Sequence, residues 1–128
     1  MNVPDENIVA QQCEPLEEWR IPYRQIGHLS GHGTLDENLI PLLHKLAQPT
    51  FFTHDEDFFK ASLCQAHYAL VYLEVTDREA AQFIRRFLKH PVFNSQAKRL
   101  GVVARVRAGG VQFWLTGKAG LQSAKWQD

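Results

Sequence analysis

Leu70-Val71-Tyr72-Leu73-Glu74-Val75 is an almost unbroken apolar run. A strand with one wet face would alternate apolar and polar residues, so this run suits a parallel strand covered on both faces. Thr76-Asp77-Arg78-Glu79 follows at once and reads as a capping box, with Thr76 as cap and Glu79 reaching back to it. The helix it opens carries Ala80, Phe83, Ile84, Phe87 and Leu88 on one stripe and ends before Pro91. Gly101–Arg107 then alternates, with Val102, Ala104 and Val106 on one side and Val103, Arg105 and Arg107 on the other. Gly109-Gly110 is a hairpin signal, and Val111–Leu115 returns. Strands alternating with helices make the class α/β, with a C-terminal β-hairpin.

The earlier chain fits this class. Residues 5–14 suit a short helix limited by Pro15, and Ile21–Ile26 suits a short strand. Thr34 and Glu37 form a second capping box, before Leu35, Leu39, Leu42, Leu43 and Leu46 at helical spacing. Pro41 either lies in the first turn of that helix or kinks it. Gly27–Gly33 lacks the Gly-Lys-Ser/Thr ending of a phosphate-binding loop. The expected division is a single domain over residues 1–116 and a weakly patterned tail over 117–128.

Chemistry concentrates in Pro49–Phe59. Thr50–Thr53 reads as a buried strand feeding Asp55, Glu56 and Asp57. Carboxylates gathered at a strand mouth are costly unless a cation offsets them, whereas the bland reading is a solvated turn. Charge is unevenly spread. Residues 1–60 hold ten acids and four bases, net −6, and residues 61–128 hold ten bases and four acids, net +6. One half could hold cations and the other polyanions, or the two faces could attract each other or a second copy in a homodimer. No apolar run approaches the ~18 residues that span a bilayer. The two cysteines are far apart and no leader opens the chain, so a cytoplasmic protein is expected.

Asp5-Glu6, Asp36-Glu37 and Asp55 with Asp57 each follow a place where the chain can leave a sheet, and ligands of open α/β sheets gather outside the carboxyl ends of strands. Hard divalent ions take carboxylate oxygens and keep waters, leaving room for a phosphate oxygen and a water nucleophile. On the basic side, Arg85 and Lys89 share a helix stripe with Arg78 and Gln82, and Arg86 lies beside it; the bland reading of such a helix face is a solvated one. Lys98, Arg99 and Arg105 follow. Arg85, Arg86, Lys89, Lys98, Arg99 and Arg105 are the candidate nucleic-acid contacts.

Val3-Pro4-Asp5-Glu6-Asn7-Ile8, Arg20-Ile21-Pro22 with Gln25-Ile26-Gly27, Asp36-Glu37 with Ile40-Pro41-Leu42-Leu43, and Pro49-Thr50-Phe51-Phe52-Thr53-His54-Asp55 succeed one another along the chain. So do Phe83–Leu88, His90-Pro91-Val92-Phe93 and Gln96-Ala97-Lys98-Arg99-Leu100-Gly101. Together they resemble, in order from about residue 3 to about residue 115, the motifs of PIN-like nuclease domains of the small prokaryotic toxin–antitoxin type. The resemblance implies a three-layer α/β/α sandwich with a mainly parallel sheet and a metal-dependent endonuclease site. It assigns Asp5 as first acid, Asp36 or Glu37 as second, Asp55 as third and Asp57 as an extra acid, around Mg²⁺ or Mn²⁺. His54 stands where an Arg is common in that family. RNA is the expected substrate, with DNA the alternative, and a protein antitoxin is an expected partner.

Other readings stand beside it. One is a degenerate PIN-like domain that binds RNA or protein without cleaving. A receiver-like domain phosphorylated on Asp55 would need a lysine late in the sheet, where this chain has Arg105 and Arg107. Cys64-x-x-His67 and His28-x-x-x-His32 are half-sites for zinc without matching halves, and nothing near Cys64 suggests a lowered thiol pKa.

Overall fold

The computed structural model describes residues 1–6, 8, 10–25 and 36–126. Among these, six strands form one mixed sheet in chain order: β1 (Asn2–Pro4), β2 (Thr50–Thr53), β3 (Ala69–Leu73), β4 (Val102–Arg107), β5 (Gly110–Leu115) and β6 (Gln122–Ala124). The first four are parallel neighbours; β5 and β6 are antiparallel. The class is α/β, with the hairpin where Gly109-Gly110 signals it. Arg107 pairs with Gly110, leaving Ala108-Gly109 as the loop.

Alternate residues of each strand feed two cores, as a period of two requires. On one face Phe52, Val71, Ala104 and Val106 pack with Cys13 and Leu16 of α1 (Ala10–Glu18) and with Phe83, Ile84 and Phe87 of α3 (Ala80–Lys89). On the other, Val3, Phe51, Leu70 and Val103 pack with Leu39 and Leu43 of α2 (Asp36–Lys45). α1 and α2 therefore lie on opposite faces, and the described part of the connection between them, through Gln25, passes β1. There the Arg24 amide donates to the Asn2 carbonyl at 2.9 Å, and Asn2 Nδ2 donates to the Pro22 carbonyl at 3.0 Å. These bonds partly cover an edge strand that would otherwise expose unpaired backbone.

Thr76 and Glu79 form the expected box: Glu79 Oε1 accepts from the Thr76 amide at 3.2 Å and from its hydroxyl at 2.8 Å. A 3-10 turn over Asp77–Glu79 then leads into α3, whose Ala80, Phe83, Ile84 and Phe87 are buried. A four-residue helix, α4 (Gln96–Arg99), precedes β4.

Several local expectations need correction. The first helix is not 5–14 but Ala10–Glu18, with Pro15 inside it; α2 likewise runs through Pro41. Each proline is the sixth residue of its helix, so the missing amide removes one ladder bond from the helix interior. Ile21–Gln25 joins no strand ladder, since Pro22 has no donor and the segment turns toward α1 and β1. The box at Thr34 lies outside the described residues. The tail also carries structure: Gln122–Ala124 pairs with Val111–Phe113, and Trp126 Nε1 donates to the Arg107 carbonyl at 2.9 Å. Gly110 permits that pairing, because a Cβ there would sit 2.7 Å from the Ala124 carbonyl oxygen.

Candidate functional site

Asp5 leaves β1 directly. Its amide donates to the Phe52 carbonyl at 2.7 Å, which carries the β1–β2 pairing one residue further. By the period of two, Asp5 shares the face of Val3, and Thr53 the face of Phe51, the face on which α2 packs. Thr53 is fully buried and joins the two acidic segments. Its hydroxyl donates to Asp5 Oδ2 at 2.9 Å and accepts from the Asp55 amide at 3.0 Å. Asp55 in turn caps the 3-10 turn Glu56–Phe58, its Oδ1 accepting from the Asp57 amide at 2.9 Å. Asp5 and Asp55 are therefore held through one hydroxyl at the carboxyl ends of β1 and β2. Asp57 and Glu56 lie on the exposed side of the same turn.

The side chains of Asp36 and Glu37 lie outside the described residues, but their backbone opens α2. That helix of ten residues is roughly 15 Å long. It must return the chain to the start of β2, whose four residues rise roughly 13 Å. Leu39 and Leu43 of α2 pack on the face shared by Asp5 and Thr53. Among the described residues, no three His, Cys, Asp or Glu side chains are grouped to hold a metal.

Sequence reasoning missed two features here. His54 does not join the acids. Its Nδ1 lies 3.0 Å from the Leu73 carbonyl, and its Nε2 is in ion-pair range of Asp77 at 3.4 Å, though not in hydrogen-bond geometry. It fastens the end of β2 to the end of β3. Tyr72 was also missed. Thr53 pairs with Tyr72, and Tyr72 with Arg105, so the three form one row across the α2 face. At two strand spacings, Arg105 is roughly 10 Å from Thr53 along the sheet. Burial, then Glu74, Glu56 and Asp55, push the Tyr72 phenol above its ordinary pKa, against Arg105. The only signal in the sequence is local: a polar aromatic at the penultimate position of an apolar strand.

The basic candidates separate. Arg99 is corrected: it is buried, with Nη1 donating to the Phe93 carbonyl at 2.8 Å and Nε to Thr50 Oγ1 at 3.3 Å. It anchors the amino end of β2, the far end from Asp5, and burial lowers its pKa. Arg105 is half-buried, bonded to Gln112 Oε1 and lying 5.1 Å over the Phe59 ring. Lys98 is exposed, its Nζ donating to the Pro91 carbonyl at 2.9 Å. Arg85 and Arg86 stack on Trp19 and Trp126, at 4.6 and 4.5 Å from the ring centres, and Lys89 is exposed beside them.

Neither zinc half-site is completed among the described residues. Cys64 is half-buried with its thiol pKa raised by burial, and His67 bonds the Leu46 carbonyl and stacks on His44. His28 and His32 lie outside the described residues. Among these residues, no helix is long and apolar enough to cross a membrane. Comparison with known proteins found no matching family model, no matching curated protein and no matching solved structure.

Proposed function

We propose that the chain is a metal-dependent endonuclease acting on RNA, built as a three-layer PIN-like sandwich, in which Asp5 and Asp55 hold Mg²⁺ or Mn²⁺. The observation that carries this reading is the Thr53 hydroxyl, which joins the two carboxylate-bearing segments at the mouth of the sheet. A hydroxyl that donates to one acid and accepts from the backbone of the other fixes both before any ligand arrives. The donor set suits a hard divalent ion: the carboxylate oxygens of Asp5 and Asp55, with Asp36 or Glu37 of α2 proposed as a further ligand. When bound, such an ion makes a coordinated water more acidic and offsets charge on the attacking and leaving oxygens of a phosphodiester.

The chain's own residues supply the rest. Asp57 supports Asp55 through its amide and adds an outer carboxylate. Tyr72 and Arg105 continue the row from Thr53 and would meet the substrate beyond the acids. A protein antitoxin would act by covering this rim.

The test is incubation of the protein with mixed structured RNAs in Mg²⁺ or Mn²⁺, with a parallel reaction in excess chelator. Cleavage that needs the ion supports the reading. Cleavage that persists in chelator contradicts it.

A further inference from the structure

On the opposite face of the sheet, the end of α1, the outer side of α3 and the tail after β6 enclose a cleft of about 350 Å³. Trp19 and Trp126 flank it, and Gln82, Arg85, Arg86 and Lys89 supply its polar side. Its described lining contains no carboxylate, although the half of the chain that contributes Trp19 is strongly acidic. The Arg85 guanidinium lies 4.6 Å over Trp19, and that of Arg86 lies 4.5 Å over Trp126. Both tryptophans are half-buried, and the Trp126 ring also meets Phe83 and His90. Trp126 is fixed rather than trailing. Its Nε1 donates to the Arg107 carbonyl, and His90 Nε2 lies 2.6 Å from the neighbouring Lys125 carbonyl.

We propose that this cleft binds unpaired nucleotides of a single-stranded RNA segment, as an anchoring site separate from the acidic rim. This deepens the nuclease reading by naming the substrate class, and rests on it only for the cleavage that would follow. Aromatic faces give stacking that tolerates any base, while guanidinium and ammonium groups meet the phosphates. A flat ring capped by a cation suits a base with its phosphate better than it suits a carboxylate side chain, which has charge and no ring. Duplex RNA hides its bases in the stack and would forfeit the indole contribution.

The test measures binding, in chelator, of a fluorescent oligouridylate of about ten nucleotides, a blunt RNA duplex of similar length and a polyglutamate peptide. The expected results are preference for the single strand, affinity that falls steeply with salt, and at least roughly tenfold weakening in Arg85→Ala with Lys89→Ala. Trp19→Leu, checked for folding by circular dichroism, should weaken the single strand more than the duplex. Equal binding of single strand and duplex would overturn the proposal. So would tighter binding of polyglutamate, or no effect of the double alanine variant. Asp55→Asn should bind the oligouridylate as the wild type does, so loss of cleavage without loss of binding tests the rim and leaves the cleft standing.

Discussion

The Thr53 hydroxyl stands 2.9 Å from the Asp5 carboxylate, although the two residues are 48 apart in the chain. Parallel pairing of β1 with β2 makes this contact, and the same oxygen accepts the Asp55 amide. Thr53→Val keeps the shape and removes both bonds, leaving the Asp55 amide without its acceptor. The expected cost is about 1–3 kcal/mol in urea unfolding, together with a roughly 10–100-fold loss of Mn²⁺ affinity. Unchanged metal affinity would mean that the hydroxyl does not orient the acids.

Arg99→Met should destabilise the fold by about 2 kcal/mol, because the Phe93 carbonyl and Thr50 hydroxyl lose a buried donor. RNA affinity of the folded protein should not change. A large fall in affinity at full stability would return Arg99 to the binding surface.

Much of the fold was legible because local patterns agreed with tertiary demand. Most of Leu70–Val75 lies in a central strand, Ala69–Leu73, with both faces covered, while Glu74 and Val75 fall beyond it; the box at Thr76 and Glu79 forms as expected. Pro15 misleads because it reads as a stop although α1 continues past it with one ladder bond lost, and Pro41, readable as a first-turn residue or a kink, lies mid-helix. Arg99 misled because a charge count carries no burial. β6 was invisible: Gln122-Ser123-Ala124 has no strand pattern, and its place is set by the edge of β5 and the absence of a Cβ at Gly110. Of the site, Asp5 and Asp55 were readable as acids after strands. The parts played by Thr53, His54 and Tyr72 depend on register across strands, which no local window contains.

Gly110→Ala tests the β6 contact. The residue has φ +147°, and the added methyl would meet the Ala124 carbonyl at 2.7 Å. A loss of about 1–3 kcal/mol is expected, with increased exposure of Trp126 seen as a red shift in fluorescence. A wild-type stability and spectrum would show that the tail does not dock there.

Alkaline pH should weaken the fold. Burial, then Glu17, pushes the Cys13 thiol from 9.0 up to about 11. Burial, then a hydrogen bond to Glu17, pushes the Tyr23 phenol from 10.0 up to about 12. The folded chain keeps protons that the unfolded chain releases, so stability is full below about pH 9 and falls as pH rises through about 11. Urea midpoints across that window should decline, and Cys13→Ala should flatten the lower part of the decline. A constant midpoint would show that these groups ionise alike in both states.

The central claim is that Asp5 and Asp55 together support metal-dependent RNA cleavage. The most direct measurement is the single-turnover cleavage rate in Mn²⁺ for the wild type, Asp5→Asn and Asp55→Asn, each confirmed as folded. The expected result is loss of at least about 100-fold in both variants, more than changing a residue that only orients a metal ligand usually costs, with oligouridylate binding kept. Wild-type rates in either variant would contradict the account.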